Sequence, residues 1–177
     1  MRTKQQVFGI ILGILLFVQP AIGEDRVNLA GSWTLVSLFT EDVQTKARHH
    51  VYGEHPQGHL SITPGGRFYS FATADWRRFG TSPPQQIEFR SIFSSGKYRL
   101  DRGKFIFTTE TVRNEGWEGA DPVELSWSDE WVASEQLRFY SLAEDKSETT
   151  QLRMHAAITN PDGSANTLIG HLIWTRQ

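Results

Sequence analysis

Between residues 31 and 176 the chain is a succession of short segments in which apolar and polar residues alternate. They are rich in β-branched and aromatic side chains and are separated by clusters of Gly, Pro, Asn and Asp. A period of two puts alternate side chains on opposite faces of a strand, and turn residues between such runs join strands into hairpins. The pattern predicts strands at 31–40, 58–63, 67–74, 96–101, 104–112, 122–132, 135–142, 150–159 and 166–176, with no long 3.6-residue stripe competing. Two turns are well specified, Pro64-Gly65-Gly66 and Asn160-Pro161-Asp162-Gly163, where proline presets the bend and glycine supplies the positive φ. The segment 75–93, with Pro83-Pro84, reads as a short helix or a cap over one end of the sheet. Strands in such number leave two edges, and closing the sheet on itself hides both. The expected fold is all-β, an up-and-down antiparallel β-barrel of eight to nine strands, which encloses packed side chains or one small ligand.

Residues 7–18 (VFGIILGILLFV) follow Arg2 and Lys4 and precede Pro20-Ala21-Ile22-Gly23, the order of a secretory signal. The run is shorter than the ~18–20 residues that span a bilayer, and no later segment approaches that length. Residues 1–23 are therefore expected to be a signal peptide, and 24–177 one exported domain, secreted or periplasmic, with no stable membrane insertion. The chain has no cysteine, so it folds without disulfides, which suits a bacterial periplasm better than a eukaryotic secretory route. A net charge of −2, with no block of Lys or Arg, lacks the electrostatic footprint of a nucleic-acid binder.

Leu29-Ala30-Gly31-Ser32-Trp33-Thr34-Leu35-Val36-Ser37 is a G-x-W-x-L-x-S opening. The stretch Gly53-Glu54-His55-Pro56-Gln57-Gly58-His59-Leu60 is a G-x-x-P-x-G-x-L motif, followed by the Gly65-Gly66 turn. Together they resemble the lipocalin-like domain of bacterial and fungal proteins. Asn114-Glu115-Gly116-Trp117-Glu118-Gly119 is similar to that family's W-x-G turn, and Trp174-Thr175-Arg176 to its terminal W-x-R strand. The resemblance implies a calycin-type, lipocalin-like barrel that holds a small apolar or amphipathic molecule. One departure stands out: where the family often carries a histidine pair, this chain reads Phe107-Thr108-Thr109-Glu110-Thr111.

The residues give the opening motif a structural role. Gly31 lets the backbone turn, Trp33 plugs the barrel interior, and Arg176 lays its guanidinium over that ring. Alternation from Trp33 carries Leu35 and Ser37 inward, and alternation from Arg176 carries Trp174, Leu172 and Gly170. Pairing across Pro64-Gly65-Gly66 sets Ile62 opposite Phe68 and Leu60 opposite Ser70, giving an interior face of Leu60, Ile62, Phe68, Ser70 and Ala72. Pairing Thr159 with Ser164 sets His155 opposite Leu168 and turns His155 and Arg153 inward. The expected ligand-binding set is therefore Leu60, Ile62, Phe68, Ser70, Arg153, His155 and Trp174.

Four histidines, His49, His50, His55 and His59, lie close in sequence, but Pro56 and Gly58 break any helix that would align them. They read as a polar loop over the barrel mouth and not as a metal site. Acid–base chemistry would draw on His155, Glu110 and Tyr69. For Glu110 the simpler role is an exposed cross-strand charge pair, and for His155 a hydrogen-bonded wall residue. Trp117, Trp127 and Trp131 among acidic residues make either an aromatic rim or, more simply, solvated surface. The expected function is binding of a small hydrophobic or amphipathic molecule, with no cofactor and no turnover. The alternative is an acid–base isomerase or cyclase acting on an apolar ligand in the same cavity.

Overall fold

The structure, a computed structural model, describes residues 29–74, 89–118, 121–124, 132–144, 149–159 and 165–177. Ten strands follow in order: β1 (Gly31–Asp42), β2 (Arg48–His49), β3 (Gln57–Ile62), β4 (Arg67–Thr73) and β5 (Phe89–Asp101). Then come β6 (Lys104–Glu118), β7 (Asp121–Glu124), β8 (Glu135–Glu144), β9 (Thr150–Thr159) and β10 (Ala165–Arg176). Eight of them form an antiparallel ring, β1-β3-β4-β5-β6-β8-β9-β10, which closes where β10 pairs with β1. The short strands β2 and β7 pair on the flanks of β1 and β6. The fold is the closed all-β barrel that the alternation predicts.

The β3–β4 hairpin has the expected register, with Ile62 opposite Phe68 and Leu60 opposite Ser70. Gly66 adopts φ 81° in the turn, and Thr63 closes it by donating its N–H to the Arg67 carbonyl at 2.9 Å. Gly58 is required by crowding: a Cβ there would lie 2.6 Å from the Phe71 carbonyl oxygen and 3.0 Å from the Leu35 side chain.

One end of the barrel is corked. Gly31 takes φ 139°, a conformation that L side chains rarely adopt, and two residues on Trp33 is fully buried. Its indole N–H donates to the Leu29 carbonyl at 3.0 Å, and the Arg176 guanidinium sits 4.6 Å from the ring centroid. Gln177 finishes the closure by donating its backbone N–H to Ser32 and its side-chain amide to the Thr34 hydroxyl. Leu29, Leu35, Leu60, Ile62, Leu152 and Trp174 belong to the same buried cluster as Trp33.

Several expectations need correction. Strand β5 begins at Phe89, so part of the segment read as helix or cap is strand; residues 75–88 lie outside the described residues. The strand expected at 122–132 is represented by β7 and an isolated bridge between Val132 and Thr109; Trp127 and Trp131 lie outside the described residues. Residues Asn114 to Glu118 form the end of β6 and not a turn.

Two bulges change which side chains face inward. In β1 the register shifts between Leu35 and Ser37, so Ser37 meets Ile173 and Leu38 meets Leu172. Leu38, and not Ser37, is then the next inward residue, packed on the core. At β9–β10, Thr159 pairs with Ala165, and a further irregularity before Ile169 brings His155 opposite His171 instead of Leu168. A slip of three residues is odd and reverses the faces. Leu152 and Met154 point inward, while Arg153 and His155 are exposed on the outer wall.

Trp33→Ala is expected to lower stability by about 3–5 kcal/mol in urea unfolding, because it opens a cavity at the cork. Near the opposite end, Asp42 accepts the backbone N–H groups of Thr45 and Gln44 and the hydroxyls of Thr45 and Thr167. Those bonds, the Thr45 N–H first, lower its pKa to about 2 from the usual carboxylate value. A depressed folded-state pKa stabilises fully above the unfolded value near 3.8 and is lost as pH falls through 2. The stability gap between the parent and Asp42→Asn should therefore shrink between pH 4 and pH 2 in acid-unfolding curves.

Candidate functional site: the barrel interior

The lower part of the interior, next to the cork, is apolar and aromatic. Tyr98 stacks on Phe105 at 4.8 Å between centroids, and Phe68 meets Phe105 and Phe107 edge-on at 6.1 and 5.3 Å. These offset and T-shaped contacts are the arrangements that aromatic quadrupoles favour. The Tyr98 hydroxyl donates to the Thr63 carbonyl at 2.8 Å and ties β5 to the β3–β4 turn.

The wall built from β4, β5, β6 and β8 is different. Ser70 and Ser94 share a hydroxyl–hydroxyl hydrogen bond of 2.7 Å. Thr109 and Asn114 on β6 are completely buried, yet among the described residues neither the Thr109 hydroxyl nor either atom of the Asn114 amide finds a hydrogen-bond partner. The Gln136 side-chain nitrogen on β8 and the Trp174 indole nitrogen are also buried with no partner among the described residues. An unsatisfied buried donor or acceptor costs about 1–3 kcal/mol, so a group of them in one interior is a conspicuous expense.

Strand β8 is turned inside out. Its apolar Leu137 and Phe139 are 38% and 42% exposed on the outer wall, while Gln136, Arg138 and Tyr140 are drawn inward. Pairing places Arg138 beside Phe105 and Gln136 beside Phe107 on β6. The Arg138 guanidinium lies 5.6 Å from the centre of the Phe107 ring and donates to the Leu137 carbonyl at 3.2 Å. Burial lowers the Arg138 pKa from its usual value. Guanidinium is nevertheless charged at every ordinary pH, so the interior holds a cation.

Opposite the cork, the loop between β2 and β3 covers part of the barrel end. It carries histidines, but it is anchored by apolar residues. Val51 and Tyr52 are buried against Ala74, Leu38 and Ile92, and burial pushes the Tyr52 phenol pKa up.

The sequence-derived site residues divide into two groups. Leu60, Ile62, Phe68 and Trp174 converge in the buried interior cluster, and Ser70 reaches the polar wall. Arg153, His155, Glu110 and Tyr69 are on the outside. Glu110 pairs with Arg67 and Lys97, and the Arg67 hydrogen bond holds its carboxyl below the usual range. Tyr69 is 43% exposed. His155 stacks between Phe139 and His171, and His171 stacks in turn on Phe39, forming an outer row across four strands. Among the described residues, the buried ones include neither an imidazole nor a carboxylate. Arg138, Gln136, Thr109 and Asn114 escaped the sequence reading. The signal present, Leu137 and Phe139 at one parity of β8 and Gln136 and Arg138 at the other, points to the opposite orientation when hydrophobic residues are assumed to face inward.

Groups kept for a ligand are not needed for stability. Thr109→Val and Asn114→Leu should each leave the ligand-free protein as stable as the parent or more so, by about 1–3 kcal/mol in urea unfolding, because each removes an unsatisfied buried polar group without a large change of volume.

Among curated protein sequences none matches this chain. The lipocalin-like domain family matches it over residues 30–177, the stretch that forms the closed barrel. The cork, the closed eight-strand ring and this match agree: the chain belongs to the lipocalin-like domain family.

Proposed function

We propose that the protein is exported and holds one small hydrophobic or amphipathic molecule in the barrel interior without transforming it. A closed barrel of eight strands is wide enough to be filled by side chains or to hold one small ligand. The observation that carries the reading is the set of unpartnered polar atoms on Thr109, Asn114, Gln136 and Trp174, facing an interior whose floor is aromatic. An apolar floor with a few placed polar groups is the usual make-up of a small-molecule site. The isomerase or cyclase alternative has no support from the geometry, because His155, Glu110 and Tyr69 lie on the outer wall and cannot reach an enclosed substrate.

The neutral dye N-phenyl-1-naphthylamine should brighten on mixing with the purified protein, and mass spectrometry of a solvent extract should find a co-purifying amphiphile. A protein that neither brightens the dye nor yields a bound molecule would overturn the reading. Export predicts that N-terminal sequencing of protein from the periplasm or medium begins at Glu24; a retained Met1 would refute it.

A further inference from the structure

The inverted strand β8 supports an inference that rests on the ligand-holding reading and deepens it. We propose that the ligand is an amphiphile with an anionic head group, received by the Arg138 guanidinium and the Gln136 side-chain amide, with its tail on the apolar floor. Hydrophobic-in alternation would have put Leu137 and Phe139 inside. The structure instead exposes both and brings Gln136 and Arg138 into the interior. A local rule broken without visible compensation marks a functional position.

The charge balance favours an anion. Among the described residues, the arginines that pair with Glu41, Glu110 and Glu135, namely Arg48, Arg67 and Arg99, all have exposed side chains. No described carboxylate pairs with Arg138, whose protein contacts are one backbone carbonyl and the face of Phe107. A half-buried cation with no counter-charge among the described residues is costly, and an incoming anion offsets that cost. Two of the unsatisfied hydrogen-bonding groups point the same way, while Asn114 offers a donor and an acceptor and the Thr109 hydroxyl can act as either. The Gln136 nitrogen and the Trp174 indole nitrogen only donate, as does guanidinium, and an ionised carboxylate only accepts. A cationic head would meet Arg138 with no buried carboxylate among the described residues to hold it. A purely apolar ligand would leave the donors unsatisfied.

Three probes with the same twelve-carbon tail separate the possibilities: dodecanoate, dodecanol and dodecylamine, each titrated below its micellar concentration by displacement of the neutral dye. The parent should bind dodecanoate about tenfold or more tighter than dodecanol, as a charge-assisted pair implies, and dodecylamine weakest. Arg138→Met keeps an apolar stem of similar length. It should bring acid and alcohol to within about threefold by weakening the acid more than the alcohol, whereas Arg153→Met on the outer wall should leave both affinities as in the parent. If Arg138→Met does not fold, Arg138→Lys, which retains charge but loses the fork, should narrow the acid preference without abolishing it. Equal affinity of the parent for acid and alcohol would overturn the anionic head group and leave the ligand-holding reading intact. Failure of all three probes and of the dye would overturn both.

Discussion

The pairing of β10 with β1 is the contact on which the remaining features depend. It joins the first and last strands of the ring, from Trp33 opposite Arg176 to Asp42 opposite Leu168, and so removes the two open edges that an eight-strand sheet would otherwise offer to other chains. Closure also gives each strand an inside and an outside. Once the ring is shut, alternation along a strand becomes a choice between chamber and solvent. Trp33 stands at this seam, paired with Arg176 on one side and Leu60 on the other, so one indole contributes to both the join and the floor.

Alternation alone would give a more uniform lining than the protein has. The bulges act as phase changes. In β1 the shift after Leu35 lets one strand send Trp33, Leu35 and Leu38 inward while Phe39 joins the outer aromatic row. A second shift, between Ser95 and Gly96, changes the pairing of β5 with β6. Below it Phe105, Phe107 and Thr109 line the interior; above it Asn114 does so, while Glu110 stays outside with Arg67. The apolar floor and the polar wall are thus set by backbone irregularities as much as by the order of residues.

This explains which parts of the structure were legible in the sequence. The β3–β4 hairpin could be read because its turn is short, its glycine takes the positive φ that the turn type demands, and no bulge intervenes before Leu60 and Ser70. The cork was legible because Gly31, Trp33 and Arg176 each have a role tied to residue type. His155 and Arg153 were misplaced because the β9–β10 register includes an irregularity that no turn residue announces, and an odd shift reverses a whole strand. Arg138 and Gln136 were missed for a different reason. Reading polar residues as outward-facing is sound for a packed core and fails where the interior itself is the site.

The cork has a kinetic meaning as well. Among the described residues, Trp33, Leu29 and the C-terminal Gln177 seal one end, so a guest of the kind proposed would pass on the side where Val51 and Tyr52 lean over Leu38 and Ile92. A newcomer would then be unable to push an occupant out from behind, and each exchange would wait for departure past the loop that holds Tyr52.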